Sequence, residues 1–305
     1  MISVIIPTHN RHCDLRAALA SLYNQSCLPG EIIVVDDGSK VPVVRSIFDG
    51  APENIRCTLL RNDLPQGVSY SRNIGICEAS YDWVAFLDDD DLYTTNKIEV
   101  VTRSMGDHDV DVIYHAAEVN MIKEGVVYYT RPYAFLDDEN VLRSLLVSNK
   151  LGGTPVVVAK KSCLVDAGLF DCNLSALEDY ELWIRLAARG SKFLLIKNSL
   201  TSCRYVSKKK SVSKNISANV SALDYIESKY SDIYRNLSEK EFKEHVSWKR
   251  RLIIHKALLN KKIYLAFKLQ LKNLIDSPSF KNFLILLSIM MGPKFIYILR
   301  AKLGV

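Results

Sequence analysis

No CxxC pair and no cysteine–histidine spacing suited to zinc occurs in this chain, although it carries seven cysteines (Cys13, Cys27, Cys57, Cys77, Cys163, Cys172 and Cys203). An odd, unpatterned set argues against a disulfide frame and reads as small core residues in a reducing compartment. No GxGxxG follows the first apolar run and no GxxxxGK[ST] appears, which removes the main support for dinucleotide-binding and P-loop readings. No basic segment precedes ISVIIPT, so no secretory signal is expected there. Long apolar runs are also missing. The most apolar late stretch, FLILLSIMMGPKFIYIL from Phe283 to Leu299, is interrupted by Gly292, Pro293 and Lys294. A spanning helix wants roughly 20 apolar residues, so two amphipathic helices lying on a surface are expected instead. There is no internal repeat and no low-complexity linker.

What remains is a chain of 305 residues with 48% hydrophobic content, enough for a large α/β domain with an appendage or for two domains. The formal charge of +6 is mild but uneven. Acidic residues cluster before about residue 181, and lysine and arginine dominate after it. Such asymmetry points to a basic C-terminal surface facing something anionic, a membrane or a phosphorylated ligand.

The order of elements is legible in the first hundred residues. ISVIIPT (2–8) and EIIVVDD (31–37) are continuous β-branched runs of the kind buried on both faces in a parallel sheet. Between them DLRAALASLYNQ sets Leu15, Ala18, Leu19 and Leu22 on one helical stripe. VPVVRSIFDG reads as a short helix, CTLLRN as a strand, SYSRNIGICEAS as a helix and WVAFLD as the next strand. Four parallel strands with crossover helices imply a doubly wound sheet whose ligand sits at the strands' C-terminal ends. The pattern then turns mixed: VDVIYHAAEVN and VVYYTR resemble a hairpin, PVVVAKK a strand, and LEDYELWIRLAARG a helix closed by Gly190. From about Asn215 onward nearly everything reads as basic amphipathic helix.

The strand ends carry the chemistry. WVAFL is apolar throughout and runs directly into Asp88, Asp89, Asp90 and Asp91. A run of acids is often only a solvated face, but these sit at the end of an interior strand. At an effective dielectric near 20, two carboxylates about 4 Å apart repel by on the order of 4 kcal/mol. They therefore need a cation or partial protonation. Hard oxygen ligands select Mg²⁺ or Mn²⁺, and Mg²⁺ takes one or two carboxylates plus water and substrate phosphates. Asp36 and Asp37 in VVDDGS share that sheet edge, and a carboxylate there can accept from a base N–H or a ribose hydroxyl. A plain Asp-Gly-Ser turn is the alternative.

Together SVIIPTHNR, EIIVVDDGS, QGVSYSRNIGI, FLDDDDLY and GLFDCNLSALEDYELWIRL resemble, in order and approximate spacing, a family 2 glycosyltransferase with the GT-A fold, across residues 2 to about 205. The resemblance implies an α/β fold: a mixed, mainly parallel sheet flanked by helices in residues 1–210, with a basic amphipathic helical region in 211–305. It implies that the backbone at Pro7 and Thr8 and the carboxylate of Asp37 hold the nucleoside of a nucleotide sugar. Asp88 and Asp89 would lie by the ribose and diphosphate, Asp90 would be the principal ligand of Mn²⁺ or Mg²⁺ with Asp88 contributing, and Asp91 would support the turn. Glu178-Asp179 matches the family's ED motif, making Asp179 the general base and placing Glu178 on the acceptor side; the bland reading is two acids favoured in a helix's first turn. Gly153 and Thr154 fall where relatives form part of the acceptor platform; an ordinary strand-entry turn is the alternative. One departure stands out. Many relatives carry an Arg followed shortly by His after the next strand, and this chain has CRYVSKKKSVS. Arg204 can be matched to donor binding but no His follows, leaving waters or a lid of Lys208, Lys209 and Lys210 to complete the site.

The implied activity is inverting transfer of a hexose, from UDP-glucose or UDP-galactose, to a hydroxyl of a sugar acceptor such as polyprenyl-diphosphate-linked GlcNAc, in O-antigen or polysaccharide synthesis. The basic C-terminal helices suit an anionic membrane surface, which would place the protein in the cytoplasm at the inner membrane; covering the sheet or forming a dimer is the competing use. No nucleic-acid partner is expected. A sugar-nucleotide nucleotidyltransferase, a haloacid-dehalogenase-like phosphatase and a non-catalytic sugar-binding relative are the other classes. The first wants a glycine-rich segment where PTHNRHCDL stands, and the second wants Thr or Val where Leu92 stands.

Overall fold

The computed structural model describes residues 1–107, 109–135, 141–205 and 215–303. Strands β1 (Ile2–Thr8) and β2 (Glu31–Asp37) are buried at every position, as their unbroken apolar runs require of strands covered on both faces. Helix α1 (His12–Tyr23) buries Leu15, Ala18, Leu19 and Leu22 against them, the stripe expected from its periodicity. Strand β3 (Arg56–Asn62), helix α2 (Val68–Glu78) and strand β4 (Trp83–Phe86) complete a parallel half-sheet in the order β3-β2-β1-β4. Gly75 lets α2 press onto β1, since a Cβ there would lie 2.6 Å from Cγ2 of Ile5. The helix expected in VPVVRSIFDG is a single 3-10 turn, Arg45–Phe48. Pro42 and three valines bias the preceding residues toward extended backbone and leave too little chain for an α-helix.

Beyond β4 the sheet becomes mixed. Strand β5 (Leu92–Tyr93) and helix α3 (Lys97–Asp107) lead into β6 (Val112–Met121) and β7 (Val126–Tyr129), the expected hairpin, which closes at the Met121–Val126 pair. Helix α4 (Val141–Val147) follows. PVVVAKK is a strand only in part: Thr154–Val156 form a 3-10 turn, β8 is Val157–Lys160, and Lys161 already opens α5 (Lys161–Asp166). Helix α6 (Glu178–Ala188) ends just before Gly190 at φ +80°, and β9 (Phe193–Tyr205) returns to the sheet. Strand β8 is antiparallel to β4 and β6, whereas β9 runs parallel to β6, with a register shift between His115 and Ala117. One face of the sheet packs Phe86, Tyr114, Tyr180 and Trp183; the other packs Ile6, Leu19, Ile113 and Val158.

The C-terminal region is helical, as read: α7 (Ile216–Lys229), α8 (Ser231–Arg235), α9 (Glu239–Leu259), α10 (Ile263–Asp276), α11 (Phe280–Met291) and α12 (Pro293–Leu303). It splits into two packing groups. Ile226 is buried in the core that holds Tyr180 and Trp183, and Trp248 lies with its ring 5.1 Å from that of Tyr180. Ile254, Ala257 and Leu258 instead join Val119, Met121 and Val126 of the β6–β7 hairpin. Helix α9 thus crosses from α6 to the hairpin, entered through a capping box of Ser238 and Glu241. Gly292, at φ +106°, separates α11 from α12, which begins at Pro293, so the late apolar stretch is two helices. Among the described residues no helix is long and apolar enough to cross a membrane. The cysteine reading needs correction: Cys13, Cys77 and Cys172 are exposed and the other four half-buried, all with free thiols. Cys13 and Cys77 lie on the outward sides of α1 and α2, where a small residue is tolerated without a packing role.

Candidate active site

Parallel register levels the ends of β1 and β2, pairing Thr8 with Asp36 and Pro7 with Val35, while β4 delivers the acidic run beside them. The four carboxylates then part company. Asp89 is buried, accepting from Thr8 Oγ1 at 2.8 Å and from Arg11 at 2.8 Å. Burial pushes its carboxyl up, to about 6, although Arg11 and Thr8 favour the charged form. Asp91 is also buried and takes the backbone N–H of Arg204 at 2.9 Å, tying the loop to β9. Burial followed by the charge of Asp88 raises it well above the ordinary carboxylate range. Asp88 and Asp90 stay about one-third exposed, each giving one oxygen to an arginine: Asp88 to Arg72 at 2.8 Å, Asp90 to Arg11 at 2.7 Å. Beneath the loop the Tyr93 hydroxyl donates to Phe86 O, and the buried Lys97 ammonium donates to Pro155 O and packs 3.5 Å from the Tyr93 ring centroid.

At the end of β2 the two aspartates also differ. Asp36 accepts from the N–H groups of Ser39 and Val43 and pairs with Arg61, which commits it to the turn. Burial raises its carboxyl, but these donors outweigh that and hold it below the usual range. Asp37 binds Asn62 Nδ2 and the N–H of Gln66 through Oδ1 and the N–H of Gly67 through Oδ2, so Oδ2 retains acceptor capacity. Gly38 is required here: its φ is +64°, and a Cβ would lie 2.7 Å from Pro65 N.

On the far side of the recess Leu177 adopts the left-handed conformation, φ +57°, immediately before α6. Non-glycine residues adopt this region at a cost of about 1–2 kcal/mol, and here the bend turns Glu178 and Asp179 toward the acidic loop. Further along α6, Trp183 Nε1 donates to Gly152 O at 3.1 Å, tying the helix to the Gly152–Gly153 turn. Asp179 Oδ1 accepts from Tyr180 N, and its Oδ2 would lie 3.5 Å from a Cβ at Gly153, so this glycine opens the space over the carboxylate. Thr154 is buried in the adjoining turn. Burial, then the charge of Glu178, raises Asp179 to about 7. Arg72 joins the two sides, its guanidinium held by Glu178 at 2.8 Å and Asp88 at 2.8 Å. Burial opposes its charge, yet Asp88 and Glu178 outweigh this and keep it firmly protonated.

The structure therefore brings Thr8, Asp37, Asp88, Asp89 and Asp90 to the ends of neighbouring strands, with Glu178, Asp179 and Gly153 joined to them through Arg72. Arg204 reaches the site through its backbone N–H to Asp91, and Lys208, Lys209 and Lys210 lie outside the described residues. Arg11 and Arg72 had been given no role, although both stand inside the quoted motifs SVIIPTHNR and SYSRNIGI. Their pairing with carboxylates 16 to 106 positions away becomes visible only in three dimensions. Among the described residues no group of three or more His, Cys, Asp and Glu side chains forms a metal cage. The half-exposed Asp88 and Asp90 suit an ion that takes one or two carboxylates and fills its shell with water and phosphate oxygens, so the residues fit Mg²⁺ or Mn²⁺.

This layout, carboxylates at the C-terminal ends of parallel strands facing an acidic pair on the first turn of a helix, can be compared with known proteins. The family model described as "Glycosyl transferase family 2" matches residues 3–161. An uncharacterized glycosyltransferase of Haemophilus influenzae is 35% identical over 232 residues, 75% of this chain and 77% of the relative. The chain belongs to glycosyltransferase family 2. A second relative of this glycosyltransferase is an Escherichia coli protein named UDP-Glc:alpha-D-GlcNAc-diphosphoundecaprenol beta-1,3-glucosyltransferase WfgD, 25% identical over 61% of this chain and 69% of its own. Among solved structures, S. aureus TarS 1-349 superposes with a TM-score of 0.55 at 15% identity, covering 91% of this chain and 92% of that one, which supports the GT-A fold. TarS 1-349 is also known in complexes with UDP and with UDP-GlcNAc.

Proposed function

We propose that this glycosyltransferase moves a hexose from a UDP-sugar, glucose or galactose, to a hydroxyl of a GlcNAc-type acceptor carried on a lipid diphosphate, with inversion at C1. The observation that carries the reading is the Arg72 bridge, which holds a carboxylate pair with a raised Asp179 opposite the acidic end of β4 in one recess. The donor class is supported by the UDP complexes of TarS and the acceptor class by the name of the E. coli relative.

The chemistry follows from the side chains. Oδ2 of Asp37 and the backbone of Pro7 and Thr8 receive the nucleoside. Asp88 and Asp90 would hold Mg²⁺ or Mn²⁺, which would supply positive charge for the departing diphosphate. Asp179 takes the proton of the acceptor hydroxyl as its oxygen bonds to C1 of the donor. The bond from C1 to the β-phosphate oxygen breaks, and its electron pair leaves with the nucleoside diphosphate. A carboxyl raised to about 7 is a stronger base than an ordinary aspartate while remaining substantially ionised near neutral pH. One base and one in-line displacement require no second nucleophilic carboxylate, and the sugar passes through an oxocarbenium-like state by analogy with glycoside hydrolysis.

The C-terminal helices suit attachment to an anionic bilayer. Helix α10 exposes Tyr264 and Ile275 and α11 exposes Phe280, Phe283, Met290 and Met291, and Lys268 and Lys272 of α10, Lys281 of α11 and Lys294 of α12 are exposed as well. The test of the reaction is incubation with Mn²⁺, each UDP-sugar and a lipid-linked GlcNAc analogue. Transfer by the native chain and its loss in Asp90→Ala with unchanged circular dichroism are expected. Free phosphate or diphosphate without glycoside would assign a different reaction.

A further inference from the structure

The second half of α9 brings a cation to the recess that neither the acidic loop nor the ion pairs already described account for. Lys256 is half-buried and lies within electrostatic reach of both Asp179 and Glu178. Among the described residues no carboxylate closes to ion-pair distance on it, whereas Lys249, two turns earlier on the same face, is paired with Glu227 at 2.5 Å. The face is fixed by packing. His245, Lys249, Leu252 and Lys256 recur at three- or four-residue spacing, so they lie on one side of the helix. His245 is anchored between Val147 O and Glu227, and Trp248 beside it packs on Tyr180, the residue after Asp179. One residue from Lys256, the ring of His255 meets that of Tyr205, which follows Arg204. Lys256 is therefore on the side of α9 that faces Asp179. The Arg11 and Arg72 guanidiniums that balance the donor-side carboxylates are on α1's leading edge and α2.

We propose that Lys256 is the phosphate-binding residue of an acceptor subsite carried by α9, receiving the phosphoryl group on C1 of a sugar 1-phosphate or sugar 1-diphosphate acceptor. The proposal rests on the glycosyl-transfer reading and deepens it. A hexose places its anomeric oxygen only a few ångströms from its other ring hydroxyls. A phosphate on that oxygen thus stays close to whichever hydroxyl Asp179 deprotonates. An ammonium partly withdrawn from water beside two carboxylates, neither of which pairs with it, is poised to bind such an anion, because a charge-assisted hydrogen bond there competes with little solvent. Burial weighs against its charge and draws it below the ordinary lysine range, while Asp179 and Glu178 pull the other way. The C-terminal region would then complete the active site as well as cover the sheet.

The test compares two acceptor analogues that differ only at C1, an alkyl-diphospho-GlcNAc and an uncharged alkyl GlcNAc. Calorimetric binding is measured with the full chain without donor, and steady-state transfer with UDP-sugar. The native chain is expected to bind the diphosphate more tightly. Lys256→Met is expected to weaken that analogue by about tenfold or more, leaving the uncharged analogue and the KM for UDP-sugar within about twofold. Lys256→Arg should keep most of the preference. Equal weakening of both analogues would assign Lys256 a structural role, and a raised donor KM would assign it to the donor. No change in either would remove it from the site; any of the three overturns the proposal. Native chain that binds the two analogues equally also overturns it. The absence of transfer to both, with the binding preference intact, would count against the reaction and not against the subsite.

Discussion

Replacing Asp179 by asparagine should make the protein more stable and inactive at once. The folded-state carboxyl is raised from the model-compound value of 3.8 to about 7, by burial first and by Glu178 second. Between those two pH values the folded chain therefore holds a proton that the unfolded chain has released. Stability falls as pH rises through that window and then levels off above about 7, where the folded state carries an ionised carboxylate in an unfavourable place. A shift of about three units at about 1.4 kcal/mol per unit sets an upper figure on the order of 4 kcal/mol. The side chain is partly open to solvent, so about half of that, roughly 2 kcal/mol, is a sounder expectation. Asparagine keeps the acceptor oxygen that meets Tyr180 N and removes the charge. In a chain of 305 residues the gain corresponds to roughly 3 °C in Tm. Thermal unfolding of the two proteins without donor should show the variant ahead at pH 8, with the gap closing as pH approaches 4. A variant no more stable than the native chain at pH 8, or a gap independent of pH, would refute the electrostatic description of the site.

Other consequences follow from the same geometry. Arg72→Met strands Asp88 and Glu178 beside each other, which should cost about 3–5 kcal/mol and lower Tm by roughly 5–8 °C; because Arg72 also lowers the Asp179 carboxyl, the acid limb of kcat/KM should move to higher pH. An unchanged profile would show that Arg72 does not govern the base. Chelation should abolish transfer and added Mn²⁺ or Mg²⁺ restore it, while leaving the unfolding curve of the donor-free protein in place, since the described carboxylates are already satisfied by arginines; activity that persists in chelator would remove the metal assignment. In liposome flotation, Phe280→Ser with Met290→Ser should release the full chain from anionic vesicles, and equal flotation of native and variant would point the exposed stripe elsewhere.

The parallel half of the fold was readable because its signals are local. An unbroken run such as EIIVVDD has no role except a strand covered on both sides, and Leu15, Ala18, Leu19 and Leu22 declare the helix that covers it. Reading failed where tertiary context decides. The short β5 has only two residues, and α3 begins at Lys97, a lysine that the fold buries completely and that no hydropathy pattern marks as internal. Within the site, the carboxylates announced themselves by position, four at the end of an apolar strand. Their division of labour did not, because it depends on which of them an arginine or a hydroxyl reaches: Thr8 and Arg11 occupy Asp89, Arg204's backbone takes Asp91, and Asp88 and Asp90 are left half-open. Lys256 was hidden for a related reason. In sequence it is one of many lysines on a basic helix, and only the docking of Trp248 on Tyr180 shows which side of that helix faces Asp179.

Stereochemistry at the transferred carbon tests the central claim most directly. With an α-linked UDP-hexose, Mn²⁺ and a lipid-linked GlcNAc analogue, the ¹H NMR coupling of the new anomeric proton should report a β-glycoside, as one base at Asp179 and a single displacement require. An α-glycoside, or release of free hexose with no new linkage, would contradict the account.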